Sequence, residues 1–188
     1  MQHAPVEEIA QSVGIARGLI YRQFSSKEEL FVLTVTDYLD ELHEVLMTAV
    51  ARARKPESRL RRCAEAFADF GLRYPAFLDC ALSLMQRPAE QLQAMVSESV
   101  WWRLGQGMAR CIDVLAQILR DGVEAGEFTA SDPDYLANVL WTQGLGVLHL
   151  ARLGVGVRRH PAGVPVLFEI DRERLIETCV ATALALAR

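Results

Sequence analysis

What the chain lacks narrows its chemistry first. The four cysteines, Cys63, Cys80, Cys111 and Cys179, stand far apart and form no C-x-x-C pair. Neither a zinc site nor a dithiol redox site is therefore expected, and no metal or cofactor is called for. Single thiols suit a reducing, cytoplasmic setting. Among the four histidines, His3, His43, His149 and His160, no two fall one helical turn apart as metal ligands would. There is no G-x-S-x-G, H-E-x-x-H, phosphate loop or dinucleotide fingerprint, so an enzyme is not expected. Carboxylate pairs such as Glu7-Glu8, Glu28-Glu29 and Asp40-Glu41 read as solvated faces and caps. Basic residues are not in excess either. Lys and Arg number 20 against 24 Asp and Glu, for a net charge of -4. That balance argues against a nucleic-acid coat but leaves room for a local DNA-reading face. The most apolar stretch, Val139 to Val157, is broken by Gln143, His149 and Arg152, so a membrane span is not expected. A leader's basic stretch followed by an apolar run is absent, and no signal peptide is expected.

What is present repeats at helical spacing. Ser26-Lys27-Glu28-Glu29 forms a capping box. The helix it opens is expected to reach about Arg54, with Leu30, Leu33, Val35, Leu39, Leu42, Val45, Leu46 and Val50 on one face, and Lys55-Pro56 ends it. A second helix is expected from near Glu57 to Arg73, with Leu60, Ala64, Phe67 and Phe70 aligned. Tyr74-Pro75 breaks the pattern, and a shorter helix follows to about Gln86. Pro88 opens a long segment to Ala125, in which Gly105 and Gly107 predict a kink or a close helix contact. Asp132-Pro133 is a strong start signal for a helix to about Leu153. A glycine- and proline-rich loop is expected over 154–169, and Asp171 caps a last helix. No run alternates convincingly at period two, so the fold class is all-α.

The segment from Val6 to Leu30 reads as two short helices about Gly14, followed by the capped helix. This is the helix-turn-helix arrangement that offers a helix to the DNA major groove. Ile9, Ala10, Val13, Ile15, Ile20 and Phe24 supply a buried side. Ile20 and Phe24, four residues apart, share one face, and Arg17, Gly18, Tyr21 and Arg22 fall on another. Arginines there can reach guanine edges or phosphates, and a tyrosine can donate to a phosphate. Lys27 stands at a helix N-terminus, where backbone amides also favour an anion.

Ile9-Ala10, Gly14-Ile15, Gly18, Ile20-Tyr21, Phe24, Ser26-Lys27 and Leu30 together closely resemble the tetracycline-repressor (TetR) family of bacterial transcriptional regulators. The resemblance implies a helix-turn-helix head over 1–30, a connecting helix over 31–54 and a ligand-binding, dimerising body over 55–188. It implies DNA contacts at Ala16, Arg17, Gly18, Tyr21, Arg22, Gln23 and Lys27. It further implies a homodimer acting as a repressor, released from operator DNA by a small effector. Departures from the family pattern are Pro5 and Ala16, where serine or threonine is usual, and Gln23, where an aromatic residue or histidine is common. The family's first helix has no counterpart before Val6. The expectation is therefore either weak or absent operator binding by this chain or a true start of the gene upstream of Met1. The alternative is a dimeric small-molecule binder of the same fold that has lost the operator.

Aromatic and sulfur side chains in the body suggest a cavity for an apolar or aromatic effector. The candidate lining is Phe67, Phe70, Tyr74, Met85, Trp102, Met108, Trp141 and His149, with Gln143 and Arg103 as further polar candidates. Small and apolar residues on the last two helices suggest a four-helix dimer interface. They are Leu140, Gly144, Val147, Leu148, Leu175, Cys179, Thr182, Ala183 and Leu186.

Overall fold

Ser26 sets the first described helix. In the computed structural model, which describes residues 26–161 and 163–188, its hydroxyl accepts a hydrogen bond from the Glu29 N–H at 3.0 Å. Helix α1 (Lys27–Val50) follows. Its buried stripe is Val32, Val35, Leu39, Leu42, Leu46 and Val50, spaced three and four apart. Each fully buried leucine in such a stripe contributes about 1.5–3 kcal/mol. Thr36, buried within the stripe, donates its hydroxyl to the Val32 carbonyl at 2.8 Å, so its own oxygen is not stranded. The helix closes at Val50, earlier than the expected Arg54. Pro56 holds Lys55 extended, and the residues between form a tight turn.

Helices α2 (Pro56–Arg73) and α3 (Pro75–Met85) both carry proline in the first turn, where its missing N–H costs nothing. The expected single segment from Pro88 is divided into α4 (Ala89–Gln93) and α5 (Glu98–Glu124). Ser97, extended at ψ 152°, makes the break, and its hydroxyl turns to Glu29 of α1. Within α5 the helix runs unbroken through Gly105 and Gly107. Gly107 faces Leu39, and an added Cβ would lie 3.4 Å from the Leu39 Cβ, so this glycine marks a close helix contact.

Asp132 caps α6 (Pro133–Leu153) by accepting from the Tyr135 N–H at 2.9 Å, and Gly154, at φ 71°, ends it in the left-handed conformation. Here the structure departs from the expected loop. Residues Val155–Arg159 (β1) and Pro165–Glu169 (β2) pair antiparallel, Val157 opposite Leu167, as a two-stranded hairpin. Five-residue strands are too short for alternation to stand out among glycines and prolines. Helix α7 (Arg172–Ala187), capped by Asp171, ends the chain, and its Ala187 carbonyl accepts from the Thr129 N–H.

The helices form a bundle in which α1 packs chiefly on α5 and α2 chiefly on α7, with α6 bridging α5 and α7. Exposed ion pairs accompany the α1–α5 contact. Arg110 pairs with Asp40, and Arg103 lies 3.3 Å from Asp37. Arg152 makes a two-point contact with Asp79, at 3.0 and 3.2 Å, tying α6 to α3. No described helix is long and apolar enough to cross a membrane.

Candidate functional site

Four helices and the end of a fifth enclose a cavity in the body. From α2 come Cys63, Ala64 and Phe67; from α5, Cys111 and Leu115. Helix α6 supplies Leu140, Trp141, Gln143, Gly144 and Val147, and α7 supplies Cys179, Thr182 and Ala183. Leu46 of α1 lines it as well. The centre of a water-sized sphere can move through about 50 Å³ of it, and the whole space between atoms, open solvent included, is about 550 Å³. A drug-sized ligand needs roughly 300–1,000 Å³, so only a slim molecule or a chain end fits without side-chain movement.

Helical spacing explains the lining. Leu140, Gly144 and Val147 share one face of α6, and Cys179 and Ala183 share one face of α7. Phe67 and Trp141 meet as tilted rings with centroids 5.2 Å apart. Gly144 allows this approach, because a Cβ there would lie 2.7 Å from Phe67 Cε1. Burial pushes the Cys63 and Cys111 thiols up to about 12 and the Cys179 thiol up to about 11. All three are thus neutral thiols at physiological pH, weakly polar and soft. Thr182 donates its hydroxyl to the Thr178 carbonyl at 2.8 Å, which leaves its oxygen able to accept. Gln143 is half-buried.

Of the eight residues expected to line an effector cavity, Phe67 and Trp141 border the cavity described above. Phe70 and Tyr74 belong to a neighbouring aromatic cluster with Phe77 and Tyr38. There Tyr74 donates to Glu41 at 2.6 Å. Met108 packs half-buried against the core away from the cavity. Met85 and Trp102 are 52% and 67% exposed, and His149 is exposed as well, so these three need correction as lining residues. The neighbouring Trp101 takes the inward place instead of Trp102, one residue and about 100° away around the helix. Arg103 faces Asp37 and Asp40. The thiols were not expected in the lining; each falls on the apolar face of its own helix, which is the signal that could have placed it there.

The expected dimer face also needs correction. Leu140, Gly144, Leu148, Leu175, Cys179 and Ala183 are all buried within this one chain, and Val147 and Thr182 are half-buried beside the cavity. Leu186 alone of the nine is exposed. Both faces of α6 carry apolar and small residues, and the more continuous one turns inward. Its outer stripe is Tyr135, Val139, Thr142, Gly146, Leu150 and Leu153, mostly exposed. Of the expected DNA contacts, Ala16, Arg17, Gly18, Tyr21, Arg22 and Gln23 lie outside the described residues. Lys27 is exposed at the first turn of α1.

Residues 1–33 match the family model described as "Bacterial regulatory proteins, tetR family". The folded body resembles a tetR-family bacterial regulatory protein from Rhodococcus, with a TM-score of 0.72 at 16% identity, over 98% of this chain and 86% of that one. The N-terminal residues thus match the tetR-type model, and the body has the fold of that structure. The TetR resemblance read from Ile9 to Leu30 is thereby borne out, and it is a family of regulators rather than enzymes. A second similar structure is the fatty acid degradation regulator FadR from Bacillus halodurans. It has a TM-score of 0.69 at 15% identity, over 100% of this chain and 90% of that chain. Among curated proteins, the HTH-type transcriptional activator FasR of Mycolicibacterium smegmatis is 34% identical over 67 residues. That stretch is 36% of this chain and spans only about a third, 31%, of the relative.

Proposed function

We propose that this chain is a ligand-responsive, DNA-binding regulator of transcription in the cytoplasm. In this reading residues 1–30 form the DNA-reading head, 31–54 the connecting helix and 55–188 the effector-binding and dimerising body. The observation that carries it is the tetR-type match over residues 1–33, joined through α1 to a body holding a largely apolar cavity. Leu46, on the same helix as Lys27, lines that cavity. An effector in the cavity therefore touches the element that carries the head, which gives it a route to alter head spacing in a dimer and release the operator.

Arg17 and Arg22 are assigned to base edges or phosphates, Tyr21 and Lys27 to phosphates, and Gly18 to close backbone approach, with Ala16 and Gln23 beside them. The second copy is assigned to the outer stripe of α6, where Leu150 and Leu153 are 38% and 59% exposed. A second reading, activation instead of repression, is favoured by the similarity to the transcriptional activator FasR.

Selection of bound duplexes from a random pool by the purified chain, followed by mobility shift, tests the proposal. A two-fold symmetric site is expected. Arg17→Ala or Arg22→Ala is expected to weaken it by about 1–3 kcal/mol if the arginine reads a base. Failure to enrich any sequence would overturn operator binding and leave a dimeric small-molecule binder. A reporter carrying the selected site then separates repression from activation.

A further inference from the structure

The cavity is uncharged on every side. Among the described residues no Lys, Arg, His, Asp or Glu lines it. Its strongly polar groups are the Gln143 amide and the Thr182 hydroxyl, and the rest is aliphatic, aromatic or thiol. A carboxylate entering it would lose hydration and find no cation, and such transfer is strongly unfavourable. A hydroxyl or carbonyl would lose far less. Gln143 offers both N–H donors and a carbonyl acceptor, and no hydrogen bond engages it among the described residues. Thr182, already donating to the Thr178 carbonyl, meets a ligand as an acceptor.

The three thiols do not point elsewhere. Cys63, Cys111 and Cys179 come from three helices, but no group of described residues is arranged to hold a metal ion. Each is buried, so none is an exposed nucleophile. They serve as soft contact surface for an apolar ligand.

We infer that the effector of this cavity is an uncharged, slim apolar molecule bearing a hydroxyl or carbonyl group, with Gln143 as its polar anchor, and that a carboxylate of the same chain length is rejected. This rests on the cavity being the effector site, as proposed above. It adds the sign of discrimination, which follows from the lining alone.

The test uses the full chain carrying Trp101→Phe and Trp102→Phe, so that Trp141 in the cavity wall reports binding by fluorescence, with calorimetry on the unaltered chain as a second readout. The probes are 1-octanol, octanamide and octanoate at pH 7.5. The alcohol and the amide are expected to bind at least about tenfold more tightly than octanoate. Gln143→Leu is expected to weaken the alcohol by roughly three- to tenfold. Gln143→Lys, at a half-buried position that lets the ammonium stay partly hydrated, is expected to reverse the preference toward octanoate. Thermal melting verifies that each variant is folded. Octanoate binding as tightly as octanol to the unaltered chain overturns the inference while leaving the effector cavity standing. No binding of any of the three, by either readout, overturns the cavity as an effector site.

Discussion

The Ser97 hydroxyl donates to the Glu29 carboxylate across 2.7 Å, joining the start of α5 to the first turn of α1. Ser26, the cap of α1, donates in turn to the Met95 carbonyl at 3.3 Å. The helix that leads out of residues 1–25 is thus held at its first turn by the 95–97 segment. Both contacts are exposed, so their net contribution to stability is small, about 0.5–1.5 kcal/mol each at most. Their effect is on local opening. Ser97→Ala is expected to leave the melting temperature nearly unchanged while the amides of 29–34 exchange hydrogen faster. Unchanged exchange there would show that the Ser97 contact does not restrain α1.

Gly122 and Phe128 make a tighter relationship. A Cβ on Gly122 would lie 2.0 Å from Phe128 Cδ2, inside a ring that is 3% exposed. The ring cannot retreat without uncovering apolar surface. Gly122→Ala is therefore expected to destabilise the chain by about 1–3 kcal/mol in urea unfolding. In a Phe128→Leu background, where the flat ring is gone, the same substitution is expected to cost less. Equal penalties in both backgrounds would mean the strain lies elsewhere.

Helix starts were legible because single residues decide them. Ser26, Asp132 and Asp171 each accept from a backbone N–H of the first turn, as their positions before apolar runs implied. The inward direction of a helix was harder to read. In α6 the 140–144–147–148 set and the outer 135–139–142–146–150–153 set are both apolar or small. Periodicity finds two faces there, and only tertiary packing decides which is buried. The same limit turned Trp102 inward in place of its neighbour Trp101, which packs against the core outside the cavity. The hairpin escaped notice because Val155, Val157 and Leu167 alternate over too few residues, on strands whose partners are set by the turn between them. Cys63 and Cys111 were read only for metals and redox and Cys179 only for a dimer face, so their part in the cavity wall was missed.

Asp121 gives an acid-side expectation. Burial pushes its carboxyl up, but the Gln117 amide and the Arg59 guanidinium, both bonded to it, outweigh burial and hold it below the ordinary value. A depressed folded value means a stabilising contribution that is present above the unfolded carboxyl's pKa and is lost as pH falls through the folded one. The pair is partly exposed, so the contribution is modest. Asp121→Asn is expected to lower the melting temperature at pH 7 and to narrow its gap from the unaltered chain below about pH 4. A gap that stays constant with pH would show that Asp121 contributes by packing and not by charge.

The three buried thiols and the half-buried Cys80 give the opposite, alkaline expectation. Burial pushes Cys63 and Cys111 up to about 12, and Cys80 and Cys179 up to about 11. Asp79 beside Cys80 adds to its rise, and Cys111 donates its S–H to the Leu39 carbonyl at 3.3 Å. A folded value raised above the unfolded one gives stability that is fully present below the free thiol's pKa, near 8.5. That stability is lost as pH rises from there through the folded values. The chain is therefore expected to melt at a nearly constant temperature from pH 7 to 8.5 and progressively lower above about pH 9. Cys63→Ala, with one fewer such thiol, is expected to fall less steeply between pH 9 and 10, although its melting temperature starts lower because a small void is left. At pH 8 all four thiols are expected to react with a disulfide reagent far more slowly than free cysteine, and to reach its rate only in denaturant. Free-cysteine rates in the folded chain would mean that the cavity wall opens on the timescale of the reaction, and that its thiols are not held neutral by burial.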